Sequence, residues 1–360
     1  MVTIGVDPHK QTHTAVATDL LGRPQGERTE PAKQDGFGEL LMWARRHDSE
    51  RVWVIEDCRH VSGPFERFLL DHGETVVRLP PRLMADARQS VRERGKSDPI
   101  DALAVARAAI REGIDSFVSA QLDEHALEIR QLVDHRERLV HQRTALINDL
   151  RWHLHDLDPD YQVPTRAFTN RSWQQKTARK LAKLGTRAQV RVARDELKRI
   201  RELTGAIDQL YQELAPLITA YRPALLSIPG CGVLSAAKAI GETAGGQRFA
   251  TASKFARIAG AAPINASSGD HIRHRYDQGG NRQLNATLHR IAITQIRCHQ
   301  PARDYYARKL AEGKSRREAI RCLKRHIATT LWKQLQPDPH NISSRRRPTP
   351  RAIHCNTPIP

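Results

Sequence analysis

The chain opens with Val2-Thr3-Ile4-Gly5-Val6-Asp7, a short apolar run that ends on a carboxylate. A second run, Val52-Trp53-Val54-Ile55-Glu56, ends in the same way, and two more acids follow in Asp98-Pro99-Ile100-Asp101. Short apolar runs are typical of buried strands, whereas acids three residues apart share one face of a helix. The pattern therefore predicts two strand ends and one helix start that deliver carboxylates to a common site.

Four carboxylates in one site can hold a pair of hard divalent cations, because such ions prefer oxygen ligands. Two bound cations stabilise both the attacking and the leaving oxygen of a phosphodiester. We therefore predict that the metal ligands, with Mg²⁺ as the expected ion, are Asp7, Glu56, Asp98 and Asp101.

The neighbours of these acids have simpler interpretations. Asp98 is also predicted to be the N-cap of its helix, with Pro99 at the first helical position. Strand alternation sends Asp57 to the face opposite Glu56. His9 is interpreted as ordinary solvated loop charge or as a phosphate contact.

The overall charge favours a nucleic-acid partner over a membrane. The 58 Lys and Arg residues outnumber 40 Asp and Glu residues, which gives a formal charge of +18 that attracts a polyanion. No stretch approaches the roughly 20 apolar residues that span a bilayer, and no signal peptide is recognisable. The five cysteines are scattered, without disulfide or zinc-site spacing. A reducing cytoplasm is expected.

Sequence patterns divide the chain into three regions and a tail. Residues 1–117 show three strands and then alternating helices and strands, which predicts a mixed α/β domain of the ribonuclease H-like class. Residues 118–222 predict two long helices, the second over about 176–220 after a connection at 158–175. Heptad spacing makes them a coiled-coil arm, either an intramolecular spacer or a dimerisation arm. Residues 223–337 predict a mainly helical domain, and 338–360 a disordered basic tail.

The third region begins with Ile228-Pro229-Gly230-Cys231-Gly232, which is similar to a helix-hairpin-helix. In such a hairpin, the backbone amides at Gly230 and Gly232 and a helix N-terminus bind a DNA phosphate without reading sequence. The alternative is a plain tight turn between packed helices.

A serine pair follows in Ser267-Ser268-Gly269, with basic side chains at Arg273, Arg275 and Arg282. A serine on an exposed turn can act as a nucleophile when arginines stabilise a phosphorane-like transition state. From the residues alone, a simple turn whose arginines bind phosphate passively is the other interpretation.

These segments, in this order and spacing, resemble the DEDD transposases of insertion-sequence family 110, which are bridge-RNA-guided recombinases. The resemblance covers about residues 1–335 and also includes Phe255–Gly269 and Gly279-Gly280-Asn281-Arg282-Gln283-Leu284. It implies a RuvC-like domain, a coiled-coil arm and a C-terminal transposase domain with helix-hairpin-helix. The four acids fall on the family's metal ligands, and Ser268 falls on its catalytic serine.

The resemblance also implies an activity and its partners. The expected protein is a bacterial, nucleoid-associated recombinase that joins donor and target double-stranded DNA through a serine–DNA covalent intermediate. A structured guide RNA would select the sites. A dimer or tetramer would combine the acids of one protomer with the serine of another. Two alternatives stay open: a RuvC-like, metal-dependent junction endonuclease and a non-catalytic nucleic-acid-binding remnant.

Overall fold

A computed structural model describes residues 1–56, 59–79, 83, 97–117, 119–121, 123–246, 249–265, 274–275 and 280–336. These residues form two compact units. The N-terminal unit comprises Met1–Leu122 with Gln247–Lys254, and the helical unit comprises Asp123–Gly246 with Phe255–Gln336. The predicted domain limits after residues 117, 222 and 337 stay predictions.

The N-terminal unit contains one five-stranded sheet in the order β3-β2-β1-β4-β5. Strands β1, β2 and β3 are antiparallel neighbours, whereas β4 and β5 run parallel to β1. The predicted mixed α/β fold is therefore confirmed for this unit, and the strand order is compatible with a ribonuclease H-like domain. The strands are β1 (Val2–Pro8), β2 (Thr12–Thr18), β3 (Pro24–Pro31), β4 (Arg51–Glu56) and β5 (Thr75–Leu79).

Helices cover both faces of this sheet. Helices α1 (Gln34–Arg45) and α2 (Arg59–Asp71) pack on the face that carries Ile4 and Val6. Helix α3 (Asp98–Glu112) packs on the other face, against Val54 and its neighbours. Because strand side chains alternate, Asp7 shares the α3 face with Gly5, and Glu56 shares it with Val54.

Gly5 allows α3 to touch the backbone of β1. A Cβ atom at Gly5 would lie 2.1 Å from the carbonyl oxygen of Ala102 and 2.6 Å from the amide nitrogen of Ala106. No side chain fits in that space, so glycine sets the distance between strand and helix. The first turn of α3 carries Asp98 and Asp101, and this close approach therefore sets their distance from Asp7.

Substitution of Gly5 by alanine is expected to lower the free energy of unfolding by about 3 kcal/mol, because the added methyl group displaces α3 from β1. Urea unfolding measures the change. Gly38 in α1 is a matched control, since a Cβ there meets nothing within 4 Å. Gly38→Ala should stabilise the protein by about 0.5–1 kcal/mol. Equal stability of Gly5→Ala and the parent would contradict the close-contact account.

The helical unit is built on two long helices, α4 (Glu124–Leu157) and α6 (Ala188–Tyr221). They run antiparallel, because the Tyr221 hydroxyl at the end of α6 donates to Asp123 at the start of α4. Leu150 and Leu154 of α4 share one apolar core with residues of α6 such as Leu197. Their role as a coiled-coil or dimerisation arm stays a prediction.

The single second helix predicted over about 176–220 is wrong. The chain forms α5 (Arg171–Ala182) and then α6, and the connection before α5 ends earlier than predicted. Gly185 lies between them with a φ of 76°, a left-handed conformation that ends α-helical geometry. The heptad pattern does not register this break, because apolar spacing alone carries no information on backbone φ.

The remaining elements are mainly helical, as predicted for this part of the chain. They are α7 (Val233–Thr243), α8 (Ala252–Ile258), β6 (Ile264–Asn265), β7 (His274–Arg275), α9 (Arg282–Cys298), α10 (Gln300–Ala311) and α11 (Arg316–Leu335). Among the described helices, none is both long and apolar enough to cross a bilayer.

Candidate metal centre

Asp7 lies near the end of β1, at the point where β4 also ends. Val6 is in register with Ile55 of the parallel strand β4, so Asp7 and Glu56 leave neighbouring strands at the same edge of the sheet. The Asp7 side chain is only 7% exposed, so its carboxylate is largely removed from water. Glu56 is half-buried. The predicted delivery of two acids by two adjacent strand ends is therefore present.

Helix α3 brings Asp98 to the same edge. The predicted N-cap role of Asp98 is wrong: Ser97 is the N-cap, with extended backbone angles, and its carbonyl accepts the amide of Asp101 at 3.1 Å. Asp98 is thus the first helical residue and Pro99 the second. The Asp98 carboxylate makes no cap hydrogen bond in this position and instead faces the strand end.

His9 joins the two acids. Its Nε2 atom lies 3.1 Å from Oδ2 of Asp7 and 3.3 Å from Oδ1 of Asp98. One ligand atom from each of these three residues lies within 4.8 Å of the other two, a separation that one cation can bridge. The sequence interpretation of His9 as a loop residue missed this role. An Asp-x-His spacing at a strand end was the available signal.

The pKa of the Asp7 carboxyl is raised above its ordinary value, chiefly because burial removes it from water. The negative charges of Asp101 and Asp98 raise the pKa further, while His9 lowers it. Asp101 is itself buried in the first turns of α3. The charge of Asp7 is therefore poorly compensated, and a cation among these oxygens would stabilise it.

The donor set fits a divalent ion. It offers carboxylate oxygens, which suit Mg²⁺ and Mn²⁺, and one imidazole nitrogen, a ligand that softer divalent ions prefer. Asp7, His9 and Asp98 form the close group, and Asp101 interacts electrostatically with Asp7. The assignment of all four acids as ligands stays a prediction.

The second predicted constellation is described only in part. Ser267, Ser268 and Arg273 lie outside the described residues, as does Asp57. Arg275 belongs to β7, whose backbone alone is described, and Arg282 is the exposed first residue of α9.

The glycine turn before α7 is also present. Gly230 has a φ of 78°, and Gly232 is the N-cap of α7, with open space around its Cα. Gly232 makes no side-chain cap hydrogen bond to the first amides of α7. A helix-hairpin-helix that contacts DNA at Gly230 and Gly232 stays a prediction.

Two family models match this chain. A transposase model of the IS110 DEDD type matches residues 4–159, which include all four acids. A model described as the Transposase IS116/IS110/IS902 family matches residues 222–307. Together they span more than half of the chain. Both models describe transposases, and the protein is therefore a transposase.

Three relatives encoded by insertion elements are similar to most of this chain. The 44.8 kDa protein of insertion element IS116 from Streptomyces clavuligerus is 25% identical, over 93% of this chain and 94% of its own length. The 43.6 kDa protein of IS110 from Streptomyces coelicolor is 27% identical, over 74% and 77%. The 42 kDa protein of IS900 from Mycobacterium paratuberculosis is also 27% identical, over 80% and 83%. The chain belongs to the IS110 family of DEDD transposases.

Proposed function

We propose that this transposase is a site-specific recombinase that joins DNA through a covalent serine intermediate beside a divalent metal centre. The observation that carries the proposal is the group formed by Asp7, His9 and Asp98 at one edge of the sheet. The raised pKa of Asp7 supports it, because a cation would offset the charge repulsion there. Family membership supplies the DNA substrate.

The residues have separate tasks in this proposal. Asp7, Glu56, Asp98 and Asp101 would hold the ion, with the His9 imidazole of the close group as a further ligand. The bound ion supplies Lewis acidity that favours departure of the 3′ oxygen. The Ser268 hydroxyl attacks phosphorus and forms a phosphodiester to the protein, and the free 3′ hydroxyl of the exchanged strand later reverses the attack. The energy of the phosphodiester is conserved, so resealing needs no ATP.

Sequence choice is assigned to a guide RNA by the same proposal. The formal charge of +18 suits a protein that holds phosphate backbones over an extended surface. Base pairing would then read the target, and side chains such as Arg273, Arg275 and Arg282 would contact phosphates. The protein would work as a dimer or tetramer in the nucleoid, with acids and serine contributed by different protomers.

The chemical form of the cleaved DNA tests this proposal. The serine pathway leaves the protein attached to the 5′ phosphate, and denaturing gels detect the adduct. A RuvC-like junction nuclease with the same four acids would use a metal-activated water and leave free 5′ phosphates. A non-catalytic remnant would leave the DNA intact.

Removal of the His9 imidazole is expected to raise the dissociation constant for Mn²⁺ about tenfold, because the ion loses one ligand from the close group. Titration followed by electron paramagnetic resonance measures it. His47→Ala is the matched control, since His47 packs on Trp43 instead. Unchanged or tighter Mn²⁺ binding by His9→Ala would show that His9 is not a ligand.

A further inference from the structure

A short hairpin in the helical unit brackets the serine pair. Strands β6 and β7 pair antiparallel, with Ile264 in register with Arg275 and Asn265 with His274. Ser267 and Ser268 belong to the connection between these two strands, residues 266–273. The residues that precede β6 and follow β7 therefore fix the two ends of the hairpin that carries this connection.

Two glycines hold the two ends of the hairpin together. A Cβ atom at Gly280 would lie 2.4 Å from both the Cα and the amide nitrogen of Gly260, so the two backbones are in direct contact. The amide of Asn281 donates to the carbonyl of Ile258 at 2.6 Å. We call Ile258–Gly260 together with Gly280–Asn281 the hairpin neck.

Asn285 of α9 binds the part of the neck that precedes the hairpin. Its Nδ2 atom donates to the carbonyl oxygens of Ala259 and Gly260, both at 2.9 Å. Its Oδ1 atom accepts from Nζ of Lys324 in α11 at 2.5 Å. An ammonium group can only donate, so Lys324 requires the amide oxygen on its own side and thereby turns the NH₂ group toward the neck.

Asn281 holds the part of the neck that follows the hairpin. Its Oδ1 atom caps α9 by accepting the amide of Leu284 at 2.9 Å, and its Nδ2 atom donates to the carboxylate of Glu242 at 2.6 Å. Glu242 is buried in α7. The neck is thus held from both sides by asparagine amides, each oriented by a buried ionisable group of another helix.

Lys324 is a buried amine whose described partner is the amide oxygen of Asn285. Lys324 is only 7% exposed, and burial, with a contribution from the positive charge of Arg321, lowers the pKa of Lys324 to about 8. Within the described residues, no carboxylate lies within ion-pair distance of its amine. An apolar side chain of similar length would fill the same space without the desolvation penalty. The hydrogen bond to Asn285 offsets part of this penalty, and it also fixes the orientation of the Asn285 amide.

We propose that Asn285 and Lys324 are positioning residues for strand transfer, which fix the hairpin neck and act through it on the connection between β6 and β7. The link to Ser268 rests on the proposed function. The neck itself is independent of which group attacks the phosphate. Without the hydrogen bonds of Asn285, the two ends of the hairpin could shift. Misplacement of a reacting group by about 1 Å can slow a reaction about 100-fold.

The test compares Lys324→Met with Lys333→Met, an exposed lysine on the same helix. The substrate is a plasmid that carries the element's ends, with the RNA that copurifies. We expect Lys324→Met to keep Tm within about 4 °C of the parent, because relief of lysine desolvation offsets the lost donor to Asn285. It should keep the DNA dissociation constant, yet slow single-turnover strand transfer at least about tenfold. Lys333→Met should match the parent in all three measurements.

A rate within twofold of the parent for Lys324→Met would overturn the proposal. So would a lower Tm together with weakened DNA binding, because Lys324 would then merely support the fold. Asn285→Asp is the second variant: it keeps the side-chain volume but removes both N–H donors, and it should slow the reaction similarly. The rate is scored by joined DNA, so activity of Ser268→Ala would refute the role of Ser268 without affecting the conclusion on the neck.

Discussion

Asp7→Asn is expected to slow DNA strand transfer about 10³-fold, a loss of about 4 kcal/mol in transition-state stabilisation, and to raise the Tm of the metal-free protein. The carboxylate that would bind the cation is lost, which explains the rate. The stability gain follows from the raised pKa of Asp7 in the folded state. Since the unfolded chain ionises Asp7 at lower pH than the fold does, ionisation destabilises the metal-free protein.

The pH dependence of this gain has a definite sign. Below the unfolded-state pKa of Asp7, whose ordinary value is 3.8, both states are protonated and the penalty is absent. The penalty develops as pH rises above that value and is complete once pH exceeds the raised folded-state pKa. Thermal scans should therefore show a Tm advantage for Asp7→Asn at neutral pH that fades in acid.

Metal addition distinguishes loss of a metal ligand at Asp7 from the effect on Tm of removing any one negative charge. Mg²⁺ or Mn²⁺ should raise the Tm of the parent and of the control Asp71→Asn, an exposed acid at the end of α2, but should leave Asp7→Asn unchanged. Strand transfer by Asp7→Asn at the parental rate would contradict the metal-centre assignment.

Ser268→Ala is expected to eliminate the covalent protein–DNA adduct while leaving DNA and RNA binding within about twofold of the parent. Alanine has no side-chain oxygen to attack phosphorus, and replacing a neutral hydroxyl group leaves the net charge of the protein unchanged. Denaturing gels with end-labelled DNA measure the adduct, and gel shifts measure binding. Ser267→Ala is the matched control, because it removes an equivalent hydroxyl one residue away and should form the adduct.

The reverse pattern has a clear consequence. Adduct formation by Ser268→Ala but not by Ser267→Ala would move the nucleophile by one residue. An adduct from the double variant Ser267→Ala/Ser268→Ala would exclude the serine pathway for this pair.

The sheet was predictable because its signals are local. Alternating side chains and short apolar runs locate β1 and β4, and the acids at their ends identify one edge of the sheet. Gly5 is different: its necessity becomes visible only once Ala102, nearly a hundred residues away, packs on it. Local pattern shows where a strand lies but not how closely a distant helix approaches.

The errors in prediction have the same origin. Ser97 and Asp98 are both acceptable N-caps by residue type, and the choice depends on backbone angles that composition does not encode. His9 follows β1 in a hairpin, and its partner Asp98 comes from a helix far along the chain. Lys324 and Asn285 also meet only through packing of α9 on α11.

Sulfur substitution at the scissile phosphate tests most directly whether the metal centre and Ser268 act on one phosphorus atom. With a non-bridging oxygen replaced by sulfur, we predict that adduct formation at Ser268 fails in Mg²⁺ and recovers in the more thiophilic Mn²⁺ or Cd²⁺. The recovery should be absent in Asp7→Asn. Equal adduct formation with oxygen and sulfur in Mg²⁺, for both phosphorothioate stereoisomers, would contradict the account.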